Sequence, residues 1–203
     1  STTAGRDYVW RDAAGLYTTT LNANTCDLTW GFCVRQSRTD PSGFDGNNYG
    51  VAFVLGGSTS DLTQGMGYAV VLGQAGAADA LRLIRYSGGL DLNTNLTVLI
   101  GSGPPNTAPF NDLRNNYLAV RVVYTPSTNT WRLFAQNLSV ATFGTTNPSI
   151  GGILCGTAVD GTHTGLNLRY TGCLWNHSTG ATESAIFDNV YVPGPICLPT
   201  VDF

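Results

Sequence analysis

Lysine is absent from this 203-residue chain, glutamate and methionine occur once each, and histidine occurs twice. Strong helix formers are therefore scarce, whereas 25 glycines and 9 prolines, set among many Thr, Ser and Asn, suit short strands and frequent turns. All ten basic side chains are arginines, placed singly, and the formal net charge is -3. Such a chain offers no electrostatic footprint for a phosphate backbone, which excludes nucleic acid as a partner. No apolar run approaches the ~18 residues a bilayer-spanning helix needs, which argues against membrane insertion. Ser1 to Arg11 lacks both an initiator Met and a signal-peptide pattern, so the chain reads as a mature or excised segment.

What is present is apolar and β-patterned. Hydrophobic residues make up 42% and charged residues 11%, enough for a sizeable core and incompatible with disorder. The dominant period is two: Leu28, Trp30, Phe32 and Val34 alternate with Thr29, Gly31, Cys33 and Arg35, and Val51, Phe53 and Leu55 repeat the pattern. Further strands are expected at Gly67 to Leu72, Leu81 to Tyr86, Leu96 to Ile100, Leu166 to Leu174 and Ala185 to Val192. Tyr117 to Thr125 and Thr130 to Gln136 flank Pro126-Ser127-Thr128-Asn129, a hairpin whose proline sets φ at the first corner. The turn clusters lie too close together for parallel crossover helices, so the sheets are antiparallel. Residues 1–192 are expected to form one β-sandwich module. Residues 193–203, with Pro193, Pro195 and Pro199, read as a linker toward a following domain.

Five cysteines lack C-x-x-C spacing, so disulfides and an extracellular location, secreted or on a cell surface, are expected. Cys26 and Cys33 lie on one extended run, out of mutual reach unless the chain turns. The expected pairing joins Cys33 or Cys26 to Cys155 or Cys173, with Cys197 left for a partner beyond this segment.

The runs Trp30-Gly31-Phe32, Gly43-Phe44 with Asn47-Asn48-Tyr49, Gly67 to Gly73, Leu81 to Tyr86 with Gly88-Gly89-Leu90, Asn116 to Leu133 and Phe187-Asp188-Asn189-Val190 together resemble the concanavalin A-like, or laminin-G-like, modules of large secreted Bacteroidota proteins. The resemblance spans Thr29 to Val192. It implies an all-β, antiparallel jelly-roll sandwich, surface display, glycan binding and company with other domains. The same scaffold carries lectins, adhesion modules, hydrolases and lyases, so function has to be argued from the site.

A retaining glycosidase needs two carboxylates about 5 Å apart, usually glutamates, and Glu183 is the sole glutamate. The two histidines, His163 and His177, stand in turn-like contexts, and no G-x-S-x-G elbow exists. Catalysis is therefore not expected. Sugar binding needs an exposed ring for the pyranose CH groups and planar hydrogen-bonders for the hydroxyls. Trp175 with Asn176 and His177, Tyr49 with Asn47, and Tyr86 with Arg85 are the candidates, with Trp10 and Tyr68 behind them. Trp30, Phe32, Phe53 and Trp131 follow the alternation and belong to the core. Asp91, Asn93 and Asn95 present oxygens at every second residue, as the first half of a Ca²⁺ loop does, although an Asx-rich turn has the same pattern and Ser102 replaces the twelfth-position acid. The leading expectation is a non-catalytic carbohydrate-binding or adhesion module of a multidomain protein. The alternatives are a structural subunit that packs against neighbouring domains or copies of itself, and a polysaccharide-active enzyme.

Overall fold

The computed structural model describes residues 3–38, 40–46, 48–76, 79–101, 116–138, 142–179 and 184–194. Among the described residues, eleven strands lie in two antiparallel sheets: β1 (Gly5–Asp12), β2 (Leu28–Gln36), β3 (Gly50–Gly57), β4 (Met66–Leu72), β5 (Arg82–Ser87), β6 (Leu96–Ile100), β7 (Leu118–Thr125), β8 (Thr130–Asn137), β9 (Ile153–Val159), β10 (Tyr170–His177) and β11 (Ala185–Tyr191). One sheet has the order β1-β10-β3-β4-β5-β6 and the other β11-β2-β7-β8-β9. The chain crosses between sheets after β1, β2, β6, β9 and β10, and this is the all-β jelly-roll sandwich expected.

The alternating residues explain why the sheets stack. Trp30, Phe32 and Val34 of β2 and Val51, Phe53 and Leu55 of β3 all point into one buried cluster, and Phe32 stacks on Phe53 across the gap with ring centroids 4.2 Å apart. Trp131 of β8 stacks on Tyr68 of β4, also across the gap, at 4.4 Å. A second cluster lies behind the six-stranded sheet, where Ala52, Val54, Val71, Ile84 and Leu174 meet Phe44, Leu62 and Leu90 from the covering loops. The β3 strand is therefore apolar on both faces, and all eight of its residues are buried.

The hairpin forms as expected: β7 and β8 pair without a break from Leu118–Asn137 to Thr125–Thr130. Pro126–Thr128 make a 3-10 turn, and Asn129 closes it in the left-handed region at φ 50. Its Oδ1 accepts hydrogen bonds from Tyr124 Oη at 2.7 Å and Thr164 Oγ1 at 3.0 Å.

Three expectations need correction. The strand placed at Leu166 to Leu174 instead runs Tyr170–His177, because residues 162–165 form turns and Asn167 only bridges Thr20. Trp175 therefore lies within a strand rather than at its end. The strands β1 and β9 were not foreseen from the alternation. Finally, Cys33, Cys155 and Cys173 all carry thiols, so the expected pairing across the fold is not made. Cys33 faces outward beside Ala119 and Phe143, whereas Cys155 faces the inter-sheet core three strands away. At roughly 4.8 Å per strand, on opposite faces, they lie far beyond disulfide reach. Cys26 is disulfide-bonded, and Cys197 lies outside the described residues.

Candidate functional site

The two sheets do not close equally along their sides. Strands β6 and β9 touch along one side. On the other side β1 and β11 stand apart, which leaves a seam between the sheets. At one end of the seam a groove of about 490 Å³ is lined by Val9, Trp10, Arg11, Cys173, Tyr191 and their neighbours. At the other end a depression of about 270 Å³ is lined by Asp7, Tyr8, Trp175, Ala185 and Phe187, and it shares Val9 and Cys173 with the groove.

The local sequence places these groups. Val9 pairs with Cys173 and Asp7 with Trp175. Since Cys173 and Trp175 pack on the inter-sheet core, Asp7, Val9 and Arg11 take the seam face and Tyr8 and Trp10 the outer face. Gly172 allows this close approach, because a Cβ there would fall 2.1 Å from the Val9 carbonyl oxygen. Trp10 meets Tyr170 edge-on at 5.3 Å and remains 46% exposed, and Tyr191 is 45% exposed.

Trp175 lies along the floor of the seam, half-buried, with Tyr49 edge-on at 6.1 Å and the His177 ring at 4.5 Å. Its Nε1 is buried without a hydrogen-bond partner among the described residues. His177 is buried with Nε2 3.2 Å from Asp7 Oδ2. Asn176 points the opposite way, fully buried, and donates from Nδ2 to the Gly43 and Asn48 carbonyls at 3.0 and 2.8 Å. Tyr49 is fully buried and donates to the Ser184 carbonyl at 2.6 Å. Asn47 lies outside the described residues. Of the described residues Tyr49, Trp175, Asn176 and His177, only Trp175 reaches surface that an external ligand could touch.

Tyr86 is buried behind the six-stranded sheet, and burial drives its hydroxyl pKa well upward. Arg85, the candidate beside Tyr86, is not offered to an external ligand either. It turns inward at the end of the sandwich, where Nη1 donates to Asp160 Oδ2 and Thr162 Oγ1, both at 2.6 Å. The same carboxylate accepts from Tyr68 Oη at 2.6 Å, and Ser87 Oγ lies 2.9 Å from His163 Nε2. This network fastens the 160–165 loop to β4 and β5. Arg35, Arg121 and Arg132 face outward: Arg121 lies 3.8 Å over the Phe134 ring, Arg35 lies over Tyr117, and Arg132 pairs with Asp27.

Asp91, Asn93 and Asn95 belong to a loop-locking network. Asn93 donates from its backbone N to Asp45 Oδ1 at 2.7 Å and from Nδ2 to Asp45 Oδ2 at 2.8 Å, while its Oδ1 accepts from Phe44 N. Asn95 Nδ2 donates to Asp91 Oδ1 at 2.9 Å. Two of the three candidate side chains thus spend amide groups on the carboxylates that a Ca²⁺ ion would need. Among the described residues, no three His, Cys, Asp or Glu side chains cluster as a metal site.

No family model and no curated protein matches the chain. Solved structures of similar shape include a legume lectin-like domain from Entamoeba histolytica, 10% identical over 83% of this chain and 75% of that one, with a TM-score of 0.43. Lectin I-B4 of Griffonia simplicifolia is 11% identical over 91% of this chain and 80% of its own, with a TM-score of 0.40. The CBM40 module of the Ruminococcus gnavus IT-sialidase, solved with α2,6-sialyllactose, is 10% identical over 86% and 92%, with a TM-score of 0.29.

Sequence reasoning missed Asp7, Tyr8, Arg11 and Tyr191. The signal was present in Arg6-Asp7-Tyr8-Val9-Trp10-Arg11-Asp12, where an aromatic–aliphatic centre is bracketed by charges of both signs, as on an exposed edge strand.

Proposed function

We propose that this chain is a non-catalytic carbohydrate-binding module that holds an extended glycan along the seam between β1 and β11. The observation carrying this reading is the groove of about 490 Å³ at the seam, which Val9, Trp10, Arg11 and Tyr191 help to line, with Trp10 and Tyr191 46% and 45% exposed. Rings supply flat apolar faces for pyranose CH groups, and Arg and Asp supply planar hydrogen-bonders. Trp175 and Asp7 continue the same pattern at the far end. The groups that catalysis would call on are committed elsewhere: Asp160 to Arg85 and Tyr68, and His177 to Asp7 and Trp175. Glu183 lies outside the described residues. Display outside the cell within a larger protein belongs to this proposal.

The seam predicts its own test. On a glycan array, Tyr191→Ala and Trp175→Ala are each expected to weaken binding about tenfold, the ~1.4 kcal/mol of one stacked ring. Wild type is to be run with and without calcium, and binding is expected to be equal in both. A glycan bound by wild type and equally well by both variants would remove the seam as the site.

A second reading, a packing domain of an extracellular assembly, is favoured by β9, where Ile153 and Val159 are 67% and 74% exposed. A blank array in both conditions would leave that reading standing.

A further inference from the structure

Arginine is the only cation this chain has, and almost every described arginine is engaged within the fold. Arg85, Arg132 and Arg169 pair with carboxylates, Arg35 and Arg121 lie over rings, and Arg6, Arg38 and Arg82 donate to carbonyl or hydroxyl oxygens. Arg11 is the exception: it is exposed, it lines the groove of the seam, and it has no partner among the described residues. No carboxylate lines the groove with it.

The walls around this guanidinium are apolar, built from Val9, Leu16, Phe53, Cys173, Val190 and Val192. Thr171, which pairs with Arg11 across the strands, spends its hydroxyl on the Val54 carbonyl at 2.7 Å. The β11 wall is shaped by a bulge. Asn189 adopts φ 49 and the register of β11 on β2 slips between Asp188 and Tyr191, so that the consecutive residues Val190, Tyr191 and Val192 all border the groove. Beyond Val9 and Cys173 the seam continues over Ala185 and Phe187 and ends at Asp7. A lone cation at one end, an apolar channel and an anion at the other end define a ligand with one acidic head and an apolar tail. The planar fork of a guanidinium matches a carboxylate, and the tail gains from leaving water. Arg11 and Asp7 stand four residues apart on β1, ~13 Å at ~3.3 Å per residue, which a zigzag chain with ~1.5 Å bonds covers in about ten carbons.

We propose that the seam binds an unbranched, apolar monocarboxylic acid of about ten carbons, its carboxylate on Arg11 and its tail running past Val9 toward Asp7. This ligand class is separate from the glycan proposed for the seam, and neither reading requires the other.

Isothermal titration calorimetry of the intact chain with sodium decanoate tests this with no glycan present. Wild type is expected to bind one decanoate per chain, roughly tenfold or more tighter than decanol, which lacks the charge, and than decanedioate, whose second carboxylate meets Asp7. Arg11→Gln is expected to weaken decanoate binding roughly tenfold to a hundredfold, the worth of one charge-assisted pair. Val9→Asp, at a position whose 67% exposure spares the fold, sets a carboxylate beside the tail and is expected to weaken binding to a similar degree. Asp7→Asn removes the charge but keeps an oxygen for His177, and it is expected to admit decanedioate about as tightly as wild type takes decanoate. Absence of decanoate binding would overturn the proposal, as would equal binding of decanol or an unchanged affinity in Arg11→Gln. Decanedioate rejected by Asp7→Asn as firmly as by wild type would overturn the placement of the tail. A blank with decanoate leaves the glycan reading to its own array.

Discussion

Trp131→Ala is expected to remove about 3–5 kcal/mol of stability, measured as the loss in unfolding free energy in urea. The Trp131 side chain is fully buried and makes three ring contacts at once. It stacks on Tyr68 of the facing sheet at 4.4 Å, lies tilted against Tyr124 of its own sheet at 4.4 Å, and meets Trp30 at 6.2 Å. Its Nε1 also donates to the Asp160 carbonyl at 2.9 Å, which ties the 160–165 loop to the core. Alanine would leave a cavity walled by three rigid rings from both sheets, a site poorly able to collapse. The cost should therefore fall in the upper half of that range. A loss below about 1 kcal/mol, the scale of an ordinary surface change, would mean that the sheets are not held together at this stack.

Asp160→Ala is the second large effect, about 2–4 kcal/mol, with acid sensitivity altered as well. Its carboxylate, 10% exposed, accepts from Tyr68, Arg85 and both the backbone and hydroxyl of Thr162. Alanine would strand the Tyr68 hydroxyl and the Arg85 guanidinium. Arg85 retains some solvent contact, which places the cost below that of a fully buried pair. Burial opposes ionisation of Asp160, but the Tyr68 hydroxyl, the Thr162 amide and Arg85 outweigh it and hold the pKa below its ordinary 3.8. His163 in the same loop is also lowered, by burial first and by Arg85 second, below its ordinary 6.5. Both shifts have the same sign: the folded form binds its proton less readily than the unfolded form. Each group's contribution is complete above its unfolded value and is lost as pH falls through its folded value. Wild-type Tm should therefore decline on acidification below about 6.5 and again below about 4, the ordinary His and Asp values, whereas Asp160→Ala should show a shallower lower decline, since Asp12 and Asp61 are also held low by Arg169 and Thr63. An unchanged lower decline in that variant would assign the acid sensitivity to other carboxylates.

The fold was legible wherever one face of a strand is buried and the other is not. The β7–β8 hairpin announces itself through Leu118, Val120, Val122 and Tyr124, with Pro126 at the turn. Strand β3 showed itself as a run of small and apolar residues, but period two could not say that both of its faces are covered. The same ambiguity hid the direction of Trp175. The run Cys173-Leu174-Trp175-Asn176-His177 has buried positions on both sides, so parity alone could not separate the seam-facing tryptophan from the buried asparagine behind the sheet. Arg85 misled for a related reason. Its alternation with Ile84 and Tyr86 is real, but those two residues are buried behind the sheet, which turns the arginine inward. The edge strand β1 escaped because its charges interrupt any apolar pattern, and only the assembled sheet shows that they flank an open edge.

The three thiols give the molecule a built-in record of its own opening. Burial pushes Cys155 up to about 11 and Cys173 up to about 12, and raises Cys33 as well. Because the thiolate is the reactive form, alkylation at neutral pH times the moment at which each sulfur meets water rather than its intrinsic chemistry. The three sulfurs lie at separate depths: under Phe143 on the outer face, near the β9 edge, and beneath the seam. The order in which they are consumed would map which part of the sandwich loosens first. A molecule lodged between β1 and β11 would slow the clock at Cys173 and leave the other two running.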